Sequence, residues 1–175
     1  MNMNAFLIGV AVFIVLFFFL GIRIIRPNHR GLVEVLGKYS RVAPPGLHWI
    51  FPMVARMFQI DTAEQMVDAE PQNISTSDNL NARLDAQVYF RVLPDELSVK
   101  ASRYNVNDYK LRIVDLARAT LRDIIGAMTF KSATSERSKI NTELLHTILD
   151  GTKNWGIAVV RTELEEAGSS RFSGQ

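Results

Sequence analysis

The chain has 175 residues, about one domain's worth of polypeptide once an apolar N-terminal segment is set aside, which excludes a large multidomain enzyme. Lys and Arg number 20 against 18 Asp and Glu, and a net charge of +2 is too small for a whole-chain nucleic-acid footprint. There is no cysteine, so disulfides, thiolate metal sites, a cysteine nucleophile and S-palmitoylation are all excluded.

The apolar residues are unevenly spread. Met1 to Ile22 carries no side-chain charge, and Ala5 to Ile22 reads AFLIGVAVFIVLFFFLGI, 18 apolar or small residues in a row. A helix needs roughly 20 apolar residues to cross a ~30 Å hydrocarbon core. Ile24 and Ile25 extend the run if Arg23 snorkels. No positive n-region or clear cleavage site marks a signal peptide, so the reading is an uncleaved anchor over residues 1–25. Ala5, Phe13, Phe17, Phe18, Phe19 and Ile22 are its lipid-facing candidates. Phe, Val and Ile fall all round the helix, unlike the one-sided pattern of an amphipathic core helix. Arg23, Arg26 and Arg30 follow at once, then Lys38, Arg41 and Arg56, with Glu34 the sole acid before Asp61. This bias predicts a single-pass chain whose C-terminal part lies in the cytoplasm. A hairpin insertion and attraction of the basic stretch to anionic headgroups stay open beside it.

Leu32 to Leu36 reads as a strand, closed by a hairpin exit at Gly37-Lys38. Pro44-Pro45-Gly46 stops regular structure, and Leu47 to Val54 is apolar apart from His48. A loop this apolar needs cover, either in the protein core or at the membrane interface, where Trp is favoured; Leu47, Trp49, Ile50 and Phe51 are the candidates. Met57 to Asp61 and Met66 to Thr76 read as strands, and Ser75 to Asn79 as a turn. Leu84, Ala86, Val88, Phe90 and Val92 alternate with polar residues, the clearest strand of the chain, and Pro94 ends it. Ile113, Ala117, Leu121 and Ile124 carry the helical period over Tyr109 to Ile125. A second helix is expected from Ser132–Ser135 to Trp155-Gly156, then a strand over Ile157 to Leu164. The order is anchor, strands, two helices and a strand, an α+β pattern with a seam near residue 80.

Little here argues for catalysis. His29, His48 and His146 have no second ligand at metal spacing, and Glu143-Leu-Leu-His146 is half of a di-iron motif whose other half is missing. No nucleophile elbow, phosphate loop or His-Glu-x-x-His occurs. No catalytic, cofactor or metal residue is therefore assigned. Arg112, Asp115, Arg118 and Arg122, with Glu136 and Arg137, form either a solvated face or a charged rim that pairs with a second copy of the chain.

The order Pro45-Gly46-Leu47-His48-Trp49-Ile50-Phe51-Pro52, then Ile74-Ser75-Thr76-Ser77-Asp78-Asn79, resembles the stomatin family of the SPFH or band 7 (prohibitin-homologue) superfamily. Ala117 to Thr129, Glu136 to Asn141, Trp155-Gly156-Ile157 and Arg161-Thr162-Glu163-Leu164 are similar to later family segments. The likeness runs from about Ile24 to Leu164 and is nearest the single-anchor prokaryotic type.

The resemblance implies an α+β fold: an N-terminal transmembrane helix (1–25), a β-rich first SPFH subdomain (26–80), an αβ second SPFH subdomain (81–166) and a disordered tail (167–175). It implies a non-enzymatic membrane scaffold, free of cofactors, that oligomerises at the bilayer to organise lipid microdomains and regulate membrane proteins. In that setting Trp49, Ile50 and Phe51 form a membrane-dipping loop. The implied partners are membrane lipids, further copies of the chain, and an NfeD-type membrane protein or a membrane protease. The alternative is a regulatory subunit of such a protease without scaffolding. The family's long coiled coil does not follow Leu164, so large-cage assembly is expected to be weakened.

Overall fold

The computed structural model describes residues 3–166, so the expected tail, 167–175, lies outside the described residues. The chain folds as two compact units, Met1–Ala63 and Glu64–Gln175.

The first unit opens with α1 (Met3–Leu20), whose described side chains are all exposed except that of Phe17. At 1.5 Å per residue it is about 27 Å long. Among the described residues no helix is long and apolar enough to cross a membrane. The expectation that Ile24 and Ile25 lengthen the anchor is overturned: Gly21 ends the helix, and Ile22–Ile25 forms strand β1. β1 pairs antiparallel with β4 (Gly46–Trp49). Ile25 is 2% exposed and sits in a core with Val33, Ala43, Ile50 and Ala55, against which Met57 packs.

β2 (His29–Val35), β3 (Lys38–Ala43) and β5 (Ala55–Asp61) form a three-stranded antiparallel sheet in the order β3-β2-β5. The hairpin expected at Gly37-Lys38 is present one residue earlier. Leu36 (φ 52°) and Gly37 (φ 78°) both take the left-handed conformation between the paired residues Val35 and Lys38. Two such residues in a two-residue loop match the right-handed twist of the flanking strands.

The second unit is built on β8 (Asn81–Val92). β6 (Gln65–Asp68) and β7 (Gln72–Ser75) pair along one edge of β8, and β9 (Ile157–Glu166) along the other. The seam expected near residue 80 is therefore displaced: β6 and β7 take their hydrogen bonds from β8, so they belong to the second unit. The single strand expected over 66–76 is two strands, broken where Glu70 takes a φ of 57° before Pro71.

Ala82, Leu84, Ala86, Val88, Phe90 and Val92 are buried on one face of β8, as their alternation requires. Helices α2 (Glu96–Tyr104), α3 (Tyr109–Gly126), α4 (Phe130–Ser135) and α5 (Arg137–Thr152) complete the unit. α3 buries Ile113, Ala117, Leu121 and Ile125, and α5 buries Ile140, Leu144 and Ile148. Two helices were expected where four occur. α2 is short, and its signal was the Asp95 N-cap, whose carboxylate accepts from Ser98 N at 2.9 Å. The second expected helix is divided at Glu136 (φ −103°, ψ 40°) into α4 and α5.

The β7–β8 turn ties the sheet to the helices. Ser77 N donates to Met128 O at 2.9 Å, and Phe130 N donates to the Asp78 carboxylate at 3.1 Å. The Thr76 hydroxyl and then the backbone N–H of Phe130 hold the Asp78 carboxyl below the usual carboxylate range.

Gly156 follows α5 at φ +69°, and a Cβ there would lie 2.0 Å from the Ser98 carbonyl oxygen. Gly156→Ala therefore meets both a conformational penalty and a backbone clash, and is expected to cost on the order of 3 kcal/mol. The check is the shift in denaturation midpoint.

Candidate membrane-interface site

The last carbonyls of a helix have no partner within it. At the end of α1, Phe18 O accepts from Gly21 N at 3.2 Å and from Trp49 Nε1 at 3.0 Å. Gly21 O accepts in turn from Ile50 N at 2.9 Å. A Cβ on Gly21 would lie 2.5 Å from both Ile50 O and Trp49 Nε1, so only glycine permits this approach. The helix thus passes into β1 with its end bonded to β4.

Aromatic rings reinforce the junction. Trp49 stacks on Phe18 with centroids 5.9 Å apart, and Phe51 meets Phe17 edge-on at 5.2 Å and Trp49 at 6.1 Å. Phe17 also stacks on Phe13 at 6.2 Å. Pairs of this kind each contribute about 0.5–1.5 kcal/mol beyond their buried area.

Register decides which side chains reach solvent. Ile22 lies opposite Trp49 and Ile24 opposite Leu47, so these four share one face of the β1–β4 ribbon. Arg23, Ile25 and His48 lie on the other, where Ile25 enters the core. The first face is apolar yet open: Ile24 is 66% exposed, Leu47 69% and Trp49 40%. It continues directly from α1.

A second part of the surface has no counterpart among the residues expected there. Leu36 N donates to Val54 O at 2.8 Å, which holds the β2–β3 hairpin tip against the turn after Phe51. Leu36 is 76% exposed and Met53 82%, with Phe51 and Val54 exposed beside them. The overlooked signal was a leucine in a turn position that ordinarily takes Asn, Asp or Gly.

Of the other expected residues, Ala5 has its side chain outside the described residues. Phe13, Phe18 and Phe19 are exposed on α1, and Ile22 is half-buried on β1. Ile50, expected in the dipping loop, is corrected to a core residue, 5% exposed, because it follows Trp49 on the inward side of the chain. Arg23 and Arg26 are exposed, and Arg30 is half-buried on β2.

The charged candidates of the second unit do not meet in one surface. Arg118 donates through Nε to Ala69 O at 2.6 Å and pairs with Glu70 at 2.7 Å, gripping the break between β6 and β7. Arg122 reaches Gln72 Oε1 at 3.5 Å. Arg112 and Asp115 line a cavity of about 510 Å³ with Asn105, Leu116 and Trp155 at the far end of α3. Glu136 pairs with Lys139 at 3.5 Å, and Arg137 is exposed at the start of α5. The histidines are separate too: His29 Nδ1 lies 3.3 Å from Pro27 O, His48 Nε2 lies 2.8 Å from Pro44 O, and His146 lies 3.6 Å from Asp150. Among the described residues no group of three or more His, Asp or Glu is placed to hold a metal ion.

Gly21→Ala is expected to separate Trp49 from Phe18 O. The emission of Trp49, isolated by Trp155→Phe, then shifts to the red as the indole loses its stacked, bonded position.

The SPFH domain / Band 7 family model matches residues 23–169. A protein of Methanothermobacter thermautotrophicus is 37% identical over 147 residues, 84% of this chain and 45% of that protein. A protein of Archaeoglobus fulgidus is 33% identical, covering 94% of this chain and 64% of its own length. The stomatin homolog of Pyrococcus horikoshii is 31% identical over 157 residues, 90% of this chain and 58% of that protein. The chain thus spans about half the length of the curated relatives it matches. With a family model over most of its residues and a stomatin homolog among its relatives, the chain belongs to the stomatin branch of the SPFH domain / Band 7 family.

Proposed function

We propose that this chain is a non-enzymatic, membrane-attached scaffold of stomatin type. The observation that carries the reading is one apolar surface that starts on α1 and continues without a break through Ile24, Leu47, Trp49, Phe51, Met53 and Leu36. Exposed apolar area on this scale is disfavoured in water and marks a contact surface. Its occupant is lipid. The described α1 side chains are exposed all round, as a bilayer solvates a helix, whereas a protein partner would cover one side. At about 27 Å, α1 falls a few ångströms short of a ~30 Å hydrocarbon core. The Trp49 and Phe51 rings, packed beside its last two turns, hold the remaining depth at headgroup level.

On this reading Leu47, Trp49 and Phe51 enter the interface while Ile50 holds the loop to the core. The basic residues after α1 place the two units on the cytoplasmic side, as the positive-inside bias requires. Scaffolding follows from repetition: attachment to a surface raises the effective concentration of neighbouring copies, so weak lateral contacts suffice for assembly. The separate charged positions, Arg112 with Asp115 at one end of α3 and Glu136 with Arg137 at the start of α5, supply two distinct surfaces. Two different surfaces are what a head-to-tail ring needs. Through such rings the chain organises membrane microdomains and regulates membrane proteins.

Two measurements test this. The mass of the complex extracted in mild detergent is expected to correspond to many copies. A single copy bound to one stoichiometric partner would overturn the scaffold in favour of a regulatory subunit of a membrane enzyme such as a protease. Replacing Leu36, Leu47, Phe51 and Met53 together by Ser is expected to leave the chain attached through α1 while raising the quenching of Trp49 by aqueous acrylamide about twofold or more. Unchanged quenching would place Trp49 away from lipid.

A further inference from the structure

The strand directions give the first unit two ends. β1 runs away from the end of α1 and β4 returns to it, so Ile22 and Trp49 are near the helix and Ile25 and Gly46 are far. Val35 pairs with both Ala55 and Lys38, and Leu36 is bonded to Val54, so the β2–β3 tip and the start of β5 share the near end. Asp61, opposite His29, is far.

Charge is sorted along the chain as well. Residues 1–63 hold six Lys and Arg against two Asp and Glu, whereas residues 64–175 hold 14 against 16. Three of the six cations stand close behind the apolar tip. Lys38 is two residues from Leu36, Arg56 two from Val54, and Arg23 two from the end of the helix at Gly21. All three are exposed and have no ion-pair partner among the described residues. Glu34, the acid opposite Arg56 in the ladder, is half-buried.

We propose that the near end of the first unit is a recognition surface for anionic lipid headgroups, in which Arg23, Lys38 and Arg56 bind the lipid phosphates and Leu36, Trp49 and Met53 set the depth. The proposal rests on the membrane-interface reading above and deepens it. At roughly 3.3 Å per strand residue, a cation two positions behind an apolar tip stands up to about 7 Å above it. Apolar groups at an interface settle about 5–10 Å into the boundary between headgroups and acyl chains, which brings such cations to the level of the phosphates. The long Lys and Arg stems adjust the remaining distance. Zwitterionic headgroups accept the apolar tips equally well, but carry a choline cation that cancels the phosphate at that level. Each well-placed cation strengthens attachment to an anionic surface about fivefold.

The test uses the full chain carrying Trp155→Phe, reconstituted into vesicles of equal parts phosphatidylcholine and phosphatidylglycerol, with either lipid brominated in turn. Trp49 is expected to be quenched more strongly when phosphatidylglycerol carries the bromine. In R23Q/K38Q/R56Q the ratio of the two quenching efficiencies is expected to fall to about one while quenching by brominated phosphatidylcholine persists; salt at about 1 M, where the Debye length is ~3 Å, should produce the same fall. Equal quenching by the two lipids in the chain with its cations intact would overturn the anionic proposal and leave the interface reading standing. No quenching by either would overturn the interface reading itself. Should Trp155→Phe disturb folding, native mass spectrometry of the unsubstituted chain from the same vesicles gives the second readout. Retention of phosphatidylglycerol over phosphatidylcholine supports the proposal, and equal retention overturns it.

Discussion

The close approach at Gly21 is the constraint on which the first unit depends. An apolar helix leaves its last carbonyls without partners, and here they are met within one residue by Trp49 Nε1 and by the chain's own turn. Because Gly21 has no Cβ, β4 lies directly against the helix end. That fixes where β1 begins, and β1 then delivers Ile25 to the core two strands away. Helix, ribbon and sheet are therefore linked through hydrogen bonds and stacked rings at a single junction, and a lipid-facing helix is joined to a packed domain with no flexible linker between them.

The same junction explains why the loop after Pro45 divides its labour. Leu47 and Trp49 share the outward face of the ribbon, while Ile50 turns inward. An apolar loop serves two environments by using the two-residue period of a strand, core on one side and open surface on the other. The hairpin tip shows a similar compromise. Leu36 adopts a left-handed conformation that leucine disfavours, at a cost of roughly 1–2 kcal/mol. A polar residue would relieve that strain in water; a leucine there has a use when the tip meets lipid.

In the second unit the organising element is β8, buried along one face and paired on both edges. Arg118 crosses from α3 to the backbone of Ala69 and to Glu70, so a residue that reads on the helix as part of a charged rim instead closes the break between two strands. Arg161 acts similarly on β9, pairing with Glu64 at 2.8 Å and Glu163 at 2.9 Å while lying 3.7 Å over the Tyr89 ring. The neighbouring carboxylate of Glu163 raises its pKa further. Both arginines are satisfied within the chain, which leaves Arg112 in this unit, and Arg23, Lys38 and Arg56 in the first, for outside partners.

Local pattern determined much of this protein. The alternation of Leu84 to Val92 required a strand with one buried face, the spacing of Ile113, Ala117 and Leu121 required an amphipathic helix, and Gly156 required a left-handed stop; all depend on residues within a few positions of one another. The family likeness was legible in the same way, in short runs such as Pro45 to Pro52. Tertiary structure decided whatever depended on a partner far along the chain. It drew Ile24 and Ile25 out of the helix because β4, more than twenty residues on, offered them a ladder. It moved the seam to Ala63 because β8 claimed β6 and β7. It sent Ile50 inward and Leu36 outward because register, set by pairing across strands, decides the face a side chain takes. Hydropathy gives a residue's preference for water or lipid, but only long-range hydrogen bonding assigns it a side.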